Sequence, residues 1–321
     1  MTKAINSKII ATGSYLPSKI ISNFDLAKMV DTSDEWITER TGIKNRHIAN
    51  KDQLTSDLAY EASIRALKNA GIKAENLDMI ILASTTPDLT FPACATIIQH
   101  KINAINAFAF DVQAVCSGFI YALNIADNFI KTGQIKNALV IGAETMSRII
   151  DWQDRNTCVL FGDGAGALIL QASNDSSGII ASKLSSDGRL NKILKTTDGV
   201  SLSQKSGFIT MEGKEVFKHA VEKMSKSVFD VLKIANLTTS DINFLVPHQA
   251  NLRILNSVAE KLKLTSDQVI ITIENHGNTS AASIALALDF ANQNNKFKTQ
   301  DIIVLEALGA GLTWGSIVLK W

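Results

Sequence analysis

The chain has 321 residues, of which 46% are hydrophobic and 20% charged, and its formal net charge is +1. This composition is typical of a folded globular protein rather than a disordered or collagen-like one, and the length predicts about two domains or a duplicated one. The near-neutral charge argues against a protein that coats nucleic acid, and no apolar run reaches the roughly 18 residues of a membrane helix. We expect neither nucleic acid nor a membrane as a partner.

The N-terminus and the cysteines predict the compartment. Residues 1–6 (MTKAIN) lead directly into a short strand and lack the apolar core of a signal peptide. Cys94, Cys116 and Cys158 form no CxxC pair and leave an odd count, which predicts reduced thiols in a cytoplasmic protein. Five scattered histidines without metal-pair spacing predict no metal site.

Helical and strand-like segments alternate along the chain. Short runs of Ile, Val and Leu without polar alternation are typical of strands covered by helices on both faces, which predicts a layered α/β fold. Residues 161–166 (FGDGAG) look like a phosphate-binding loop but precede a strand and lack the Gly-Lys-Ser/Thr ending, so no nucleotide loop is predicted. Helices are predicted over residues 55–70, 116–131, 213–235, 251–262 and 279–292.

The two halves of the sequence resemble each other. Residues 70–82 match 235–247 at an offset of 165 (235 − 70), and residues 137–143 match 301–307 at 164 (301 − 137). The junction at Cys116 falls opposite Asn278, at 162 (278 − 116). We therefore predict two similar α/β halves, residues 1–172 and 173–321, divided at the start of a region rich in Ser, Asp, Asn and Gly.

Cys116 is the first candidate for chemistry. It follows a strand-like run and opens a predicted helix within the sequence DVQAVCSGF, residues 111–119. A helix start offers the positive end of the macrodipole and unpaired N–H groups, which favour the nucleophilic thiolate. Small neighbours, Ser117 and Gly118, let a substrate approach the sulfur. For a cysteine taken alone, a buried structural role is the alternative.

His248 and Asn278 also follow or flank strand-like segments. Taken singly, the first is most often a structural histidine and the second a helix cap. Taken together they can converge with Cys116, because ligands of α/β sheets bind at the carboxyl ends of strands. A cysteine accepts an acyl group as a thioester, while a neutral imidazole and an amide can donate hydrogen bonds to a developing enolate oxygen.

The motifs as a set resemble the β-ketoacyl-[acyl-carrier-protein] synthase III family over essentially the whole chain. The resemblance implies a thiolase-like fold, an internally duplicated five-layered αβαβα subunit that is usually a homodimer and needs no cofactor. The motifs that carry it are Cys116, residues 248–253 (HQANLR), 276–283 (HGNTSAAS), 32–37 (TSDEWI), 40–43 (RTGI), 161–166 (FGDGAG) and 309–315 (GAGLTWG).

The resemblance also implies a reaction. Cys116 is expected to be acylated by acetyl-CoA, after which malonyl-[acyl-carrier protein] loses carbon dioxide. His248 and Asn278 would stabilise the resulting enolate, whose attack on the acetyl group yields acetoacetyl-[acyl-carrier protein] and initiates fatty acid synthesis. Backbone N–H groups of Cys116 and Ala310 would form the oxyanion hole. Leu308 and Ala310 stand where the family commonly has phenylalanine and glycine, so the preferred primer is left open.

Binding residues are implied in the same way. For CoA they are Thr32, Trp36, Arg40, Arg155, Gly213 and Asn251. For the acyl pocket they are Leu308 and Phe91, the latter reaching across a dimer. For the acidic acyl carrier protein they are Gln249, Ala250, Asn251, Leu252, Arg253 and Lys218.

Three alternatives compete with this hypothesis. A papain-like cysteine hydrolase also uses Cys, His and Asn in that order, but its local signature is missing and the chain is a duplicated α/β protein. A sibling condensing enzyme, which makes hydroxymethylglutaryl-CoA or primes polyketide synthesis, shares the chemistry. The last alternative is an inactive relative that only binds acyl carriers.

Overall fold

The computed structural model describes residues 5–321, so the first four residues of the segment predicted to lead into the first strand lie outside the described range. Its strands are β1 (Asn6–Tyr15), β2 (Lys19–Ser22), β3 (Asn45–Ile48), β4 (Met79–Ala83), β5 (Phe108–Val112), β6 (Asn137–Thr145), β7 (Asp163–Ser173), β8 (Gly178–Ser186), β9 (Leu194–Thr196), β10 (Ile209–Met211), β11 (Phe244–Pro247), β12 (Ile302–Gly309) and β13 (Thr313–Lys320). Its α-helices are α1 (Asn23–Leu26), α2 (Asp34–Thr41), α3 (Thr55–Ala70), α4 (Cys94–Lys101), α5 (Gly118–Lys131), α6 (Arg155–Cys158), α7 (Val200–Ser203), α8 (Gly213–Ile234), α9 (Leu252–Leu262), α10 (Ile273–His276) and α11 (Ser283–Gln293).

Two mixed sheets share one topology. The first has the order β1-β7-β6-β4-β5 and the second β8-β13-β12-β11, with parallel pairing of β4 to β5 and β6 and of β11 to β12. Where the first sheet has β5, the second has only a parallel bridge between Leu245 and Val269. Helices α3, α4 and α5 of the first half thus correspond to α8, α9 and α11 of the second, which confirms the predicted duplication.

The sheets and helices stack in five layers. Strand β4 is buried on both faces: Ile80 and Leu82 pack towards α3 and α4, whereas Met79 and Ile81 pack towards α5 and α11. In the second sheet Leu245 packs towards α8 and α9 on the outer side. Helices α5 and α11 form the middle layer, and α11 is apolar over most of its circumference because sheets cover it on both sides. The predicted αβαβα architecture is confirmed.

The structure corrects the alignment of the two halves. Strand pairs Met79–Ala138 and Phe244–Ile303 are equivalent at an offset of 165 (244 − 79 and 303 − 138). At that offset the residue opposite Cys116 is Ala281, not the predicted Asn278 (281 − 116). The error arose because the loops before the two helix starts match in composition at several nearby offsets.

Predicted and observed helices agree closely, with local corrections at two helix starts. Residues 115–117 and 280–282 each form a 3-10 turn before α5 and α11, so these helices begin at Gly118 and Ser283. Within residues 5–321 no helix combines the length and apolar character needed to cross a bilayer. We keep the domain boundary at residues 172/173 as a proposal: it falls one residue before the end of β7, and the chain changes sheet between β7 and β8.

Candidate active site

Cys116 lies in a strained turn between β5 and α5. The preceding Val115 has φ 49°, a left-handed conformation that is unfavourable for a β-branched residue. The Oγ of Ser117 donates to the carbonyl oxygen of Ala114 at 2.8 Å and also contacts the Thr313 Oγ1 at 2.8 Å. These bonds hold the turn, and its geometry aims the Cys116 side chain into a pocket between the halves.

The protonation state of Cys116 differs from the sequence-based expectation. Burial raises the pKa of the thiol to about 12, although a hydrogen bond with Ser280 opposes the rise. The negative charge of Glu144 contributes to the same increase in pKa. The prediction that the helix start favours the thiolate is therefore contradicted, because desolvation outweighs the groups that stabilise the negative charge.

His248 follows β11 and is buried at the same pocket. Its backbone N–H donates to the Glu306 carbonyl oxygen at 2.7 Å, which continues the pairing of β11 with β12. The Nδ1 atom lies 2.7 Å from the Ser283 Oγ at the start of α11, leaving Nε2 for the pocket. Burial lowers the pKa of His248 to about 3, so the imidazole is neutral at physiological pH.

Asn278 reaches the pocket from the loop before α11. Its Oδ1 accepts the Ser280 backbone N–H at 2.9 Å, and its own N–H donates to the Leu160 carbonyl oxygen at 2.8 Å. The first bond fixes which way the amide is turned, so Nδ2 is the atom that faces away from the turn. Nδ2 has only a long contact, 3.5 Å, to the Ala250 carbonyl oxygen and can donate to a ligand.

Cys116, His248 and Asn278 thus line one pocket of about 1010 Å³. Its inner walls are apolar. Among the described residues its lining contains four cationic side chains and no carboxylate; the cations are Arg40, Lys195, Lys214 and Arg253. Such a lining favours a long, negatively charged ligand with its reactive end at the sulfur.

The residues predicted to bind CoA are only partly at the pocket. Trp36, Arg40, Gly213 and Asn251 line it. The guanidinium carbons of Arg40 and Arg155 lie 4.5 and 5.3 Å from the Trp36 ring centroid. Because carbon atoms pack about 3.5 Å apart, an adenine could enter between Trp36 and Arg155 only if that guanidinium moved.

Thr32 is the other predicted CoA residue that the structure does not place at the pocket. It precedes Ser33, whose side chain caps α2 by accepting the Trp36 N–H at 3.1 Å. The Thr32 hydroxyl is buried without a hydrogen-bond partner among the described residues. Thr32 thus lies one residue before the cap of α2 and is not part of the pocket lining.

The motif at 248–253 does not lie on a single surface, and one prediction is corrected. Gln249 is only 1% exposed, and its amide is fully engaged with backbone groups of 247, 270, 272 and 273. It is a structural residue rather than a docking one. Ala250 and Arg253 line the pocket, Leu252 packs beside Gly42, and Lys218 is exposed on α8 outside the lining.

Around the predicted oxyanion hole and acyl end, Leu308 and Ala310 both line the pocket. Ala310 does not have positive φ, so the backbone accepts alanine there without strain. Gly309 is packed against the nucleophile turn, since a Cβ on it would lie 2.8 Å from the Cys116 nitrogen. Phe91 is 82% exposed in the segment before α4 and does not line this chain's own pocket.

Sequence reasoning missed the residues that support the site. Glu144, Ser280 and Ser283 are buried beside the three candidates, and each makes a hydrogen bond that orders one of them or its support. The two serines were inside a quoted motif, residues 276–283, where spacing alone gave no role. An acidic residue at the end of the apolar strand β6 was the available signal for Glu144.

This fold and site define a condensing enzyme of the thiolase type. Family models described as 3-oxoacyl-[acyl-carrier-protein (ACP)] synthase III and its C-terminal domain match residues 110–188 and 232–321. The chain belongs to the β-ketoacyl-[acyl-carrier-protein] synthase III family and is an acyltransferase.

Individual relatives cover nearly the whole chain. The enzyme of Wolbachia pipientis wMel is 56% identical over 316 residues, 98% of this chain and 99% of its own. The crystal structure of the Aquifex aeolicus VF5 synthase III has a TM-score of 0.95 and 48% identity, and covers 98% of this chain and 100% of its own. A priming β-ketosynthase from the R1128 polyketide pathway has a TM-score of 0.94 at 33% identity, covering 100% of this chain and 97% of its own.

Proposed function

We propose that this chain condenses acetyl-CoA, or another short acyl-CoA primer, with malonyl-[acyl-carrier protein]. The products are acetoacetyl-[acyl-carrier protein], CoA and carbon dioxide, which initiates fatty acid synthesis. The observation that carries the proposal is the convergence of Cys116, His248 and Asn278 in one cation-lined pocket. The family assignment supports the same reaction.

In the first half-reaction Cys116 takes the acyl group. Its sulfur attacks the thioester carbonyl of the primer, CoA leaves, and an acyl-enzyme thioester remains. The backbone N–H groups of Cys116 and Ala310 would hold the negative oxygen of the tetrahedral intermediate. Close packing of Gly309 on the Cys116 nitrogen supports this assignment, because it fixes the two strand-end turns against each other.

In the second half-reaction His248 and Asn278 would hold the malonyl thioester oxygen. Loss of carbon dioxide leaves an enolate, and two neutral donors stabilise it without opposing its charge. When the Ser283 hydroxyl donates to Nδ1 of His248, the ring proton sits on Nε2, which then faces the substrate as a donor. Ser283 is thus a positioning residue for this tautomer. The enolate carbon attacks the acyl-Cys116 carbonyl, the C–S bond breaks, and the Cys116 sulfur leaves as a thiolate.

Binding of CoA is assigned to the outer part of the pocket. Trp36 with Arg40 and Arg155 offers an aromatic face between two cations, which suits adenine and phosphate groups. Gly213 and Asn251 line the same pocket as Cys116, and we assign the pantetheine arm to them. Thr32 contributes at the rim, next to the capped start of α2.

A homodimer is proposed because apolar groups cluster near the open edge strand β5. Phe91, Leu89, Ile105 and Phe108 are 82, 57, 70 and 44% exposed, and β5 has a strand on one side only. A second copy would cover this edge and place its Phe91 against the acyl end of the pocket, where Leu308 lies.

The acyl carrier protein is the proposed macromolecular partner. Arg253 is exposed and lines the pocket, and Lys218 is exposed one turn along α8 from Lys214 of the lining. Ala250 and Asn251 lead into α9, which begins at Leu252. Cations at the entrance suit an acidic carrier, since complementary charge speeds encounter and sets orientation. A cytoplasmic location is supported by the three cysteines, which are all free thiols.

The test is the intact mass of the protein after incubation with acetyl-CoA, beside a Cys116→Ala variant. We expect an acetyl adduct on the wild type alone, and its discharge by malonyl-[acyl-carrier protein] with formation of acetoacetyl product. An adduct only with longer or branched acyl-CoA would change the primer, and discharge only by a polyketide carrier would favour polyketide priming. No adduct with any acyl-CoA would overturn the proposal.

A further inference from the structure

The thiol of Cys116 must lose its proton before or during attack, and the neutral histidine is a poor acceptor. Burial lowers the pKa of His248 to about 3, so the imidazole holds a proton poorly near neutral pH. Among groups outside the Cys116 turn, the Ser280 side chain favours the thiolate through a hydrogen bond. Ser280 opens the 3-10 turn before α11, at φ 48°. This turn packs directly against the turn that holds Cys116.

Behind Ser280 lies the buried carboxylate of Glu144. The Ser280 Oγ is 2.9 Å from Glu144 Oε1. The other oxygen, Oε2, is saturated by Ser84 Oγ (3.2 Å), Thr85 N (3.0 Å), Thr86 N (3.1 Å) and Thr86 Oγ1 (2.6 Å). A proton can therefore be added at Oε1, the oxygen that faces Ser280.

We propose that Ser280 and Glu144 form a proton relay for Cys116, an inference that rests on the proposed acylation of that residue. As the sulfur attacks, the S–H proton passes to the Ser280 Oγ while the Ser280 hydroxyl proton passes to Glu144 Oε1. The S–C bond to the acyl group forms, the C–S bond to CoA breaks, and CoA leaves as a thiolate. Glu144 holds the proton through the acyl-enzyme stage and returns it when condensation releases the Cys116 sulfur as a thiolate.

The surroundings of Glu144 agree with proton storage. Burial raises the pKa of Glu144, and the groups that oppose this rise are hydrogen-bond donors rather than cations. The titratable group that faces it across the two turns is Cys116 itself. Ser280 also holds Asn278 through its backbone N–H, 2.9 Å from Oδ1, so the relay is rigidly joined to the decarboxylation site.

Single-turnover acylation separates the relay from a structural role. Ser280→Gly removes the hydroxyl, keeps the backbone N–H and suits the positive φ; Glu144→Gln removes the acceptor. We expect both variants to form acetyl-enzyme about 100-fold more slowly than wild type, the range of a lost proton-transfer group. Thr86→Val is the matched control, because it removes a donor to Oε2 and leaves the relay, and it should stay within a few-fold of wild type.

The rate at which iodoacetamide alkylates Cys116, measured across pH, distinguishes the relay from a purely electrostatic role of Glu144, because the two predict opposite changes in Glu144→Gln. Since the charge of Glu144 raises the pKa of Cys116, a purely electrostatic role predicts faster alkylation at pH 7 in Glu144→Gln. The relay predicts slower alkylation that recovers only at high pH. Faster alkylation of Glu144→Gln at pH 7, or acylation of Ser280→Gly at the wild-type rate, overturns the relay. If Glu144→Gln does not fold, the acylation rate of Ser280→Gly decides alone. Failure of the wild type to acylate would overturn the proposed function instead.

Discussion

Gly309 gives the sharpest test of how closely the two halves are fitted at the sulfur. A Cβ on this residue would lie 2.7 Å from the Ala114 carbonyl oxygen, 2.8 Å from the Cys116 nitrogen and 2.9 Å from the Ser117 nitrogen. Carbon makes relaxed contacts at about 3.5 Å, so Gly309→Ala must push the nucleophile turn away by roughly 0.7 Å. Misplacement by about 1 Å can cost 10²-fold in rate, and we expect acylation to slow by about 10- to 100-fold.

The assay is the time course of the acetyl adduct by intact mass, with thermal unfolding measured on the same samples. Overpacking costs about 1–3 kcal/mol in stability, which a large core can tolerate, so the variant should remain folded. Gly188→Ala is the matched control, since no atom lies within 4 Å of its added Cβ. A Gly309→Ala protein that acylates at the wild-type rate would refute the reasoning that this contact positions the sulfur.

Three further predictions concern pH and charge. Burial lowers the pKa of His248 from 6.5 to about 3, so between these pH values the unfolded chain binds a proton at His248 that the folded chain does not. The free energy of unfolding, measured with urea, should therefore fall as pH drops from about 6.5 towards 3. In His248→Asn this fall should be less steep. Burial raises the pKa of Glu306 from 4.5 to about 8, and neither of its carboxyl oxygens has a hydrogen-bond partner. Glu306 should therefore lower the free energy of unfolding increasingly as pH rises from about 4.5 to 8. The Glu306→Gln variant should be more stable than wild type at pH 8 but not at pH 5. Lys218→Glu should raise the KM for malonyl-[acyl-carrier protein] about tenfold and leave acetyl-CoA acylation unchanged, whereas Lys233→Glu, at the far end of α8, should change neither; equal effects of the two would contradict the docking assignment.

Periodicity and duplication were enough to predict the layered fold. Runs such as β4, apolar on both faces, and helices such as α3, ended by Gly71 in a left-handed conformation, carry their structure in local sequence. The offset between the halves was less secure. Only strand register, not composition, shows that Cys116 is opposite Ala281.

The sequence predicted the three candidate residues that line the site, because the chemical type of a side chain can be read from the sequence. It did not predict the properties of residues that depend on burial. Gln249 is next to His248 in sequence, yet its side chain is buried and its amide makes hydrogen bonds with the backbone of the 270–273 segment. The activation of Cys116 was misjudged for the same reason, because the burial that raises the pKa of its thiol is not visible in the local sequence. The contact of Glu144 with Ser280 exists because β6 packs against the turn before α11, and the sequence does not show this packing.

The matching left-handed residues Val115 and Ser280 bear on how such a catalyst could arise. Each half supplies one tight turn leading into a middle-layer helix, and the reaction takes place where the two turns meet. A polypeptide of half this length would own a single turn and could assemble the same centre only by pairing with an identical copy. Once the two copies are joined in one chain, the two turns can differ in sequence. The turn at residues 115–117 then carries the nucleophile Cys116, while the turn at residues 280–282 supports Glu144 and Asn278.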